Sequence, residues 1–176
     1  LTKEKGSTAA TVQILSEPGL DEEKMPKEIP WEEFKTFVGK EIGLTDWISV
    51  TQDRIDAFAE STGDRQWIHI DEGKAKSGPF GKTVAHSFLI LSLLPYFNLR
   101  NTVLPEGIKM IINYGLNRVR FVNPVTVDSR IRNRSVLKEI TENPSGGYLL
   151  TLENTIEIEG QDKPALVAEL LALIFF

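Results

Sequence analysis

Across residues 83–97 almost every side chain is apolar: Val84, Ala85, Phe88, Leu89, Leu91, Leu93 and Leu94 leave little polar face. A helix that is apolar all round has no surface to give to water, so it requires burial on more than one side, as when a sheet curls around it. The run is too short to cross a bilayer, so the rest of the chain must supply the cover. Pro95 is expected to bend or end this helix, because its ring removes an N–H and collides with the preceding turn.

The second half of the chain can supply that cover. Residues 111–122, 125–140, 148–158 and 165–176 read as four strands, separated by Asn123-Pro124, by residues 143–147 and by residues 159–162. Leu150, Leu152, Ile156 and Ile158 alternate with Thr151, Glu153, Thr155 and Glu157, the pattern of a strand with one wet face. The last strand is apolar on both faces, which makes it central or covered on both sides. The expected architecture is α+β, an antiparallel sheet packed against a central helix.

Upstream, residues 1–30 read as a loosely packed N-terminal arm, with residues 11–15 a possible short strand, and residues 31–176 as a single domain. Trp31, Phe34 and Phe37 recur at helical spacing, Gly39 and Gly43 bracket a turn, and residues 44–50 read as extended. Thr51 is the expected N-cap of a helix whose buried stripe is Ile55, Phe58, Ala59 and Thr62 and which Gly63 ends. Asp71 is expected to cap a further turn through Lys74 and Ala75.

Composition narrows the chemistry. A formal net charge of −5 disfavours a broad nucleic-acid surface. With no cysteine there is no disulfide, thiolate nucleophile or cysteine-based zinc site. Two histidines and no EF-hand or zincin spacing lead to no expected metal. No glycine-rich dinucleotide fingerprint is present, no secretory leader is evident, and no membrane span is expected, so a cytoplasmic location is the default expectation.

The segment Gly63-Asp64-Arg65-Gln66-Trp67-Ile68-His69 places a carboxylate and an imidazole five residues apart, directly after a helix stop. Such a pair, converging on one water, can orient it and take its proton. The spacing alone also admits a plainer reading, in which Asp64 caps a turn and His69 satisfies a backbone carbonyl. His86 reads more readily as a buried, hydrogen-bonded structural residue than as a direct catalyst. Backbone N–H groups near Ala85, His86 and Ser87 lie near the expected helix start and could face a developing oxyanion. Arg118, Arg120, Arg130, Arg132 and Arg134 fall at period two on strands, with Lys82 nearby in sequence. Solvated sheet surface is the favoured reading for them, and a rim for a phosphate-bearing carrier is the functional one. Trp67 reads as a hydrophobic plug beside the site.

The run from Ile55 through Leu93 resembles the MaoC-like dehydratase family, the R-specific enoyl-CoA hydratases of the hot-dog fold. Gly63-Asp64-x-Gln66-Trp67-Ile68-His69, and the stretch Asn113-Tyr114-Gly115-Leu116-Asn117-Arg118-Val119-Arg120-Phe121 with Pro124-Val125, resemble its nodulation-protein-N-like branch. The similarity covers about residues 31–175.

The resemblance implies a hot-dog fold, with an antiparallel sheet wrapped around a long central helix, and a homodimer. It implies reversible R-specific hydration of trans-2-enoyl-CoA to R-3-hydroxyacyl-CoA. Asp64 and His69 would be catalytic, the Ser87 backbone N–H would hold the thioester carbonyl, and Gln66, Trp67, Phe80, Gly81 and His86 would line the substrate pocket. Lys82, Arg118 and Arg120 would contact carrier phosphates. No cofactor is implied beyond the coenzyme A thioester as substrate. Two features depart from the general hydratases: Gln66-Trp67 stands at the family's Asn-Pro pair, and Ser87 at its glycine after Ala85-His86. Thioester hydrolysis and a non-catalytic acyl-thioester-binding module are the alternatives.

Overall fold

The computed structural model describes residues 25–144 and 146–176. The expected arm and its short strand at residues 11–15 fall outside the described residues, except for the arm's last six positions. There β1 (Lys27–Ile29) pairs in parallel with β4 (Val103–Pro105).

The first helices form where the local chemistry asks for them. Helix α1 (Trp31–Lys35) buries Phe34 completely and sets Trp31 against Tyr148 and Phe176, at ring-centroid distances of 4.5 and 5.2 Å. Strands β2 (Glu41–Leu44) and β3 (Ile48–Ser49) follow. Helix α2 (Gln52–Thr62) begins where the Thr51 hydroxyl accepts the Arg54 N–H and ends at Gly63. Gly63 adopts φ 77°, the left-handed C-terminal conformation that glycine takes without a steric penalty. The short helices α3 (Trp67–Ile70) and α4 (Glu72–Ala75) come next, with Asp71 Oδ1 accepting the Lys74 N–H at 3.0 Å.

The strands β5 (Met110–Phe121), β6 (Arg130–Glu142), β7 (Tyr148–Ile158) and β8 (Leu166–Phe175) join β2 and β3 in one antiparallel sheet. Its order is β2-β6-β7-β8-β5, with β3 also on β6. The doubly apolar last strand, β8, therefore lies between β7 and β5, and its burial follows from that place. Strand β6 starts at Arg130 rather than residue 125, because residues 126–129 turn, with Asp128 at φ 65°.

The architecture corrects the expected hot-dog arrangement of a long central helix wrapped by a curved sheet. The apolar run splits into α5 (Ser87–Ser92) and α6 (Leu94–Asn98), and no described helix is longer than the eleven residues of α2. Pro95 sits in the first turn of α6, the place where its missing N–H costs nothing, and it interrupts the ladder from α5. Residues 83–86 are extended: Val84 N–H reaches the Ile68 carbonyl at 3.0 Å and Ala85 N–H the Val125 carbonyl at 2.8 Å. The sheet stays open, since β5 at one end does not pair with β2 or β3 at the other. Cover of the apolar helices is accordingly one-sided. Leu89, Ile90, Leu94 and Phe97 join Ile131, Leu137, Ile156 and Leu170 in the core, while Phe88 is 65% exposed.

A polar network runs through this core. Asn133 Nδ2–H donates to Asn98 Oδ1 at the end of α6 (3.0 Å) and to Asn154 Oδ1 (2.9 Å), which also accepts from Ser135 Oγ (3.2 Å). Buried amides need such partners, and these fix α6 on β6 and β7. Among the described residues, no helix is long and apolar enough to cross a membrane.

Candidate active site

Three separate pieces of backbone converge on the candidate site. Gly63 reverses the chain at the end of α2, so Asp64 projects from the α2–α3 connection. His69 comes from α3, and His86 immediately precedes α5. Their potential ligand atoms all lie within 4.8 Å of one another. Two hydrogen bonds of about 2.8 Å meeting at a tetrahedral water span roughly 4.6 Å, a span within that limit.

The two histidines are buried, at 7% and 3% exposure, whereas Asp64 is exposed. His69 Nδ1–H donates to the Val84 carbonyl at 2.6 Å. A carbonyl can only accept, so this bond places the proton on Nδ1 and leaves Nε2 as a free base. His69 satisfies a backbone carbonyl, and that bond leaves its Nε2 unprotonated. Asp64 does brace a turn, its Oδ1 accepting the Gln66 N–H at 3.4 Å, and Oδ2 still lies 3.9 Å from His86 Nε2.

Burial pushes the His69 imidazole below the usual histidine range. Its Val84 bond opposes that shift, the charge of His86 adds to it, and Asp64 opposes it. The ring is thus kept in its neutral, basic form. The rings of His69 and His86 stack at 3.7 Å with 22° between their planes. Stacked imidazoles direct their in-plane lone pairs along parallel planes, an arrangement that does not suit a shared cation.

Gln52, in the first turn of α2, ties the site together. Its Nε2–H group donates to the His69 carbonyl and to Asp56 Oδ1, both at 2.8 Å, and its Oε1 accepts from the Thr83 hydroxyl at 2.6 Å. Sequence reasoning missed this residue, because its partners lie 17 and 31 positions away and no spacing rule links them.

The remaining candidates come from several other segments. Ser87 is exposed and opens α5, so its N–H is among the first-turn donors that a helix leaves without an internal acceptor. Gln66, Trp67, Phe80 and Gly81 are exposed. The Trp67 ring lies over Gly78, where an added Cβ would come within 3.1 Å of it, and faces a shallow depression with Gly73, Lys74 and Ser77. One side of the ring is thus turned towards the C-terminal end of α4.

Lys82 is exposed, and Arg118 and Arg120 lie exposed on β5. Arg130, Arg132 and Arg134 instead form cross-strand ion pairs: Arg130 with Glu159 (2.9 Å), Arg132 with Glu157 (2.6 Å), and Arg134 with Glu157 (3.0 Å) and Glu41. These three arginines belong to the solvated face of the sheet.

An apolar cavity of about 140 Å³ lies between α6 and the sheet, lined in part by Phe34, Ile42, Leu99, Leu104, Leu152 and Leu170. None of Asp64, His69 and His86 lines it.

Comparison with known proteins agrees with this geometry. The family model described as "MaoC like domain" matches residues 33–147. The 3-hydroxyacyl-thioester dehydratase Z of Mycobacterium tuberculosis is 46% identical over 131 residues, covering 74% of this chain and 86% of its own. Nodulation protein N of Rhizobium leguminosarum bv. viciae is 44% identical over 140 residues, covering 79% and 87%. Among solved structures, an unliganded R-hydratase from Pseudomonas aeruginosa superposes with a TM-score of 0.64 at 20% identity, covering 86% of this chain and 88% of that one. At that identity the likeness speaks for the backbone arrangement alone. On the family match and the identity to these relatives, the chain belongs to the MaoC-like dehydratase family, in the branch that holds nodulation protein N.

Proposed function

We propose that the protein is a hydro-lyase that reversibly hydrates trans-2-enoyl-CoA to R-3-hydroxyacyl-CoA. The observation that carries this reading is the Asp64–His69 pair, spaced for one water, with His69 Nε2 left basic by the Val84 carbonyl. The dehydratase relative favours this chemistry over thioester hydrolysis.

In the forward direction the carboxylate and the imidazole hold the water, and its proton passes to the pair as oxygen bonds to C3. The C2–C3 π electrons move towards the thioester carbonyl, which the Ser87 N–H polarises as charge develops there. The proton then returns to C2, so every atom of the water ends in the product. The apolar cavity beside α6 suits an acyl tail, and α6 follows directly on the helix that Ser87 opens. Gln66, Phe80, Gly81 and His86 surround the reacting end, and Lys82, Arg118 and Arg120 are cations for the carrier phosphates. Trp67 belongs to the same pocket set.

We also infer a homodimer acting in the cytoplasm, with no nucleic-acid partner. In support, the outer edge of β5 pairs with no strand among the described residues, the strand exposes Met110, Ile112, Tyr114 and Leu116, and Phe88 packs beside Phe121 at 5.5 Å. A run of exposed apolar side chains on a free edge is what a second chain would cover.

The test is incubation with crotonyl-CoA, following enoyl absorbance and free thiol together. Loss of absorbance without thiol release is expected. Thiol release would instead make the protein a thioesterase, and no change in either would favour a binding module. Sedimentation velocity tests the dimer, for which a monomeric parent protein would be the contrary result.

A further inference from the structure

His86 has no part in the hydration step, yet it touches both groups that do. Its Nε2–H donates to the Asp64 backbone carbonyl at 2.8 Å. Its ring covers His69 at 3.7 Å, and Phe58 of α2 holds it at 5.0 Å with the rings tilted by 51°. The side chain is 3% exposed, and its second nitrogen, Nδ1, is buried without a partner. As the residue immediately before α5, His86 also carries the backbone into the Ser87 N–H.

These contacts answer a mechanical need. The single bond from His69 Nδ1 to Val84 leaves the His69 ring free to tilt about that bond, and a stacked neighbour removes that freedom. Asp64 is exposed and sits in a connection, so its carboxylate is only as well placed as the backbone that carries it. One hydrogen bond from a fully buried ring anchors that backbone. The titratable groups facing His69 are Asp64, from the α2–α3 connection, and His86, ahead of α5. The Val84 carbonyl on His69 and the Phe58 ring of α2 on His86 are contacts without charge.

We propose that His86 is a positioning residue: its Nε2–H holds the Asp64 segment and its ring face holds His69, so one buried side chain sets the spacing of both groups that grip the water. This rests on the hydratase reading of the site, and the two parts separate experimentally. His86→Phe keeps an aromatic face for His69 but cannot donate to the Asp64 carbonyl. His86→Gln keeps an N–H donor but gives up the stack.

For His86→Phe the expected result is a kcat lower by on the order of 10², the loss typical of a slight misplacement of reacting groups, with KM little changed. For His86→Gln the acid limb of kcat/KM is expected to move to higher pH, because a neighbour that opposes protonation of His69 is gone. The His69 ring titration, followed by NMR, is expected to move in the same direction. Only one imidazole remains in either variant, so its signal needs no assignment. Parental kcat in the Phe variant, or an unmoved acid limb and ring titration in the Gln variant, would overturn the proposal. A lower melting temperature with unchanged kinetics per folded molecule would overturn it equally. If the parent hydrates no enoyl thioester, the hydratase reading falls, and the ring titration still decides whether His86 sets the state of His69.

Discussion

Replacing Gln52 by leucine offers the sharpest quantitative check on how the site is held. The side chain is half-buried and makes three hydrogen bonds, of which the one to exposed Asp56 is replaceable by water. The other two are not. Thr83 is 1% exposed, and its hydroxyl donates to Gln52 Oε1. The His69 carbonyl, on a buried residue, accepts from Gln52 Nε2. Leucine nearly conserves volume, so the cost comes from two orphaned polar groups at about 1–3 kcal/mol each. A total of about 2–6 kcal/mol follows. Thr83→Val removes one of the orphans, so adding it to Gln52→Leu costs less than the two single changes summed. A coupling of about 1–2 kcal/mol is expected, within the range seen for residues in direct contact. Urea unfolding of the parent, the two single variants and the double variant measures it. Additivity within about 0.5 kcal/mol, or a negligible effect of Gln52→Leu alone, would refute the reasoning.

Three further outcomes follow. Because His69 is held below the ordinary histidine value of 6.5, the acid limb of kcat/KM is expected to lie below pH 6.5, and a limb at or above it would contradict the burial argument. The unfolded chain then binds a proton that the folded one refuses, so this histidine's contribution to stability is present above pH 6.5 and is lost as pH falls towards the lowered folded value. Gly147→Ala is expected to destabilise by about 1–3 kcal/mol in thermal or urea unfolding, since Gly147 has φ +74° and an added Cβ would lie 2.2 Å from the Ile174 carbonyl oxygen. An unchanged midpoint would mean that the β6–β7 turn relaxes freely. Arg134→Ala is expected to cost at most about 1 kcal/mol and leave KM unchanged, whereas Arg118→Ala raises KM for a coenzyme A thioester; the reverse ranking would assign the phosphate rim to the wrong strand.

Much of this molecule was legible in local chemistry. Thr51, Gly63 and Asp71 act at helix ends where their side chains or backbone freedom prescribe, and Leu150, Leu152, Ile156 and Ile158 face the core as their alternation requires. The apolar run at residues 83–97 misled, for two physical reasons. Near its start Val84 and Ala85 find backbone partners at Ile68 and Val125, which helical periodicity does not register, and Pro95 divides what remains. The open sheet was equally beyond local reading, because whether β5 closes on another strand depends on the course of the whole chain.

At the site, the pairing of Asp64 with His69 could be read from a turn-rich segment. Its supports could not. Gln52, Val84 and His86 reach the pair across separations of 15 to 22 residues, and their value lies in atoms that meet only after folding. Arg132 and Arg134 show the opposite case, in which period two marked a surface row and only the cross-strand register supplied Glu157 as their shared partner.

The most direct test of the central claim is hydration of crotonyl-CoA and of a longer trans-2-enoyl-CoA, with chiral analysis of the product, by the parent, Asp64→Asn and His69→Ala. The expected result is R-3-hydroxyacyl-CoA from the parent and a loss in kcat of at least about 10² in each variant, the scale on which a positioned acid–base group contributes, with folding retained. Parental turnover in either variant, or an S product, would contradict water activation by this pair.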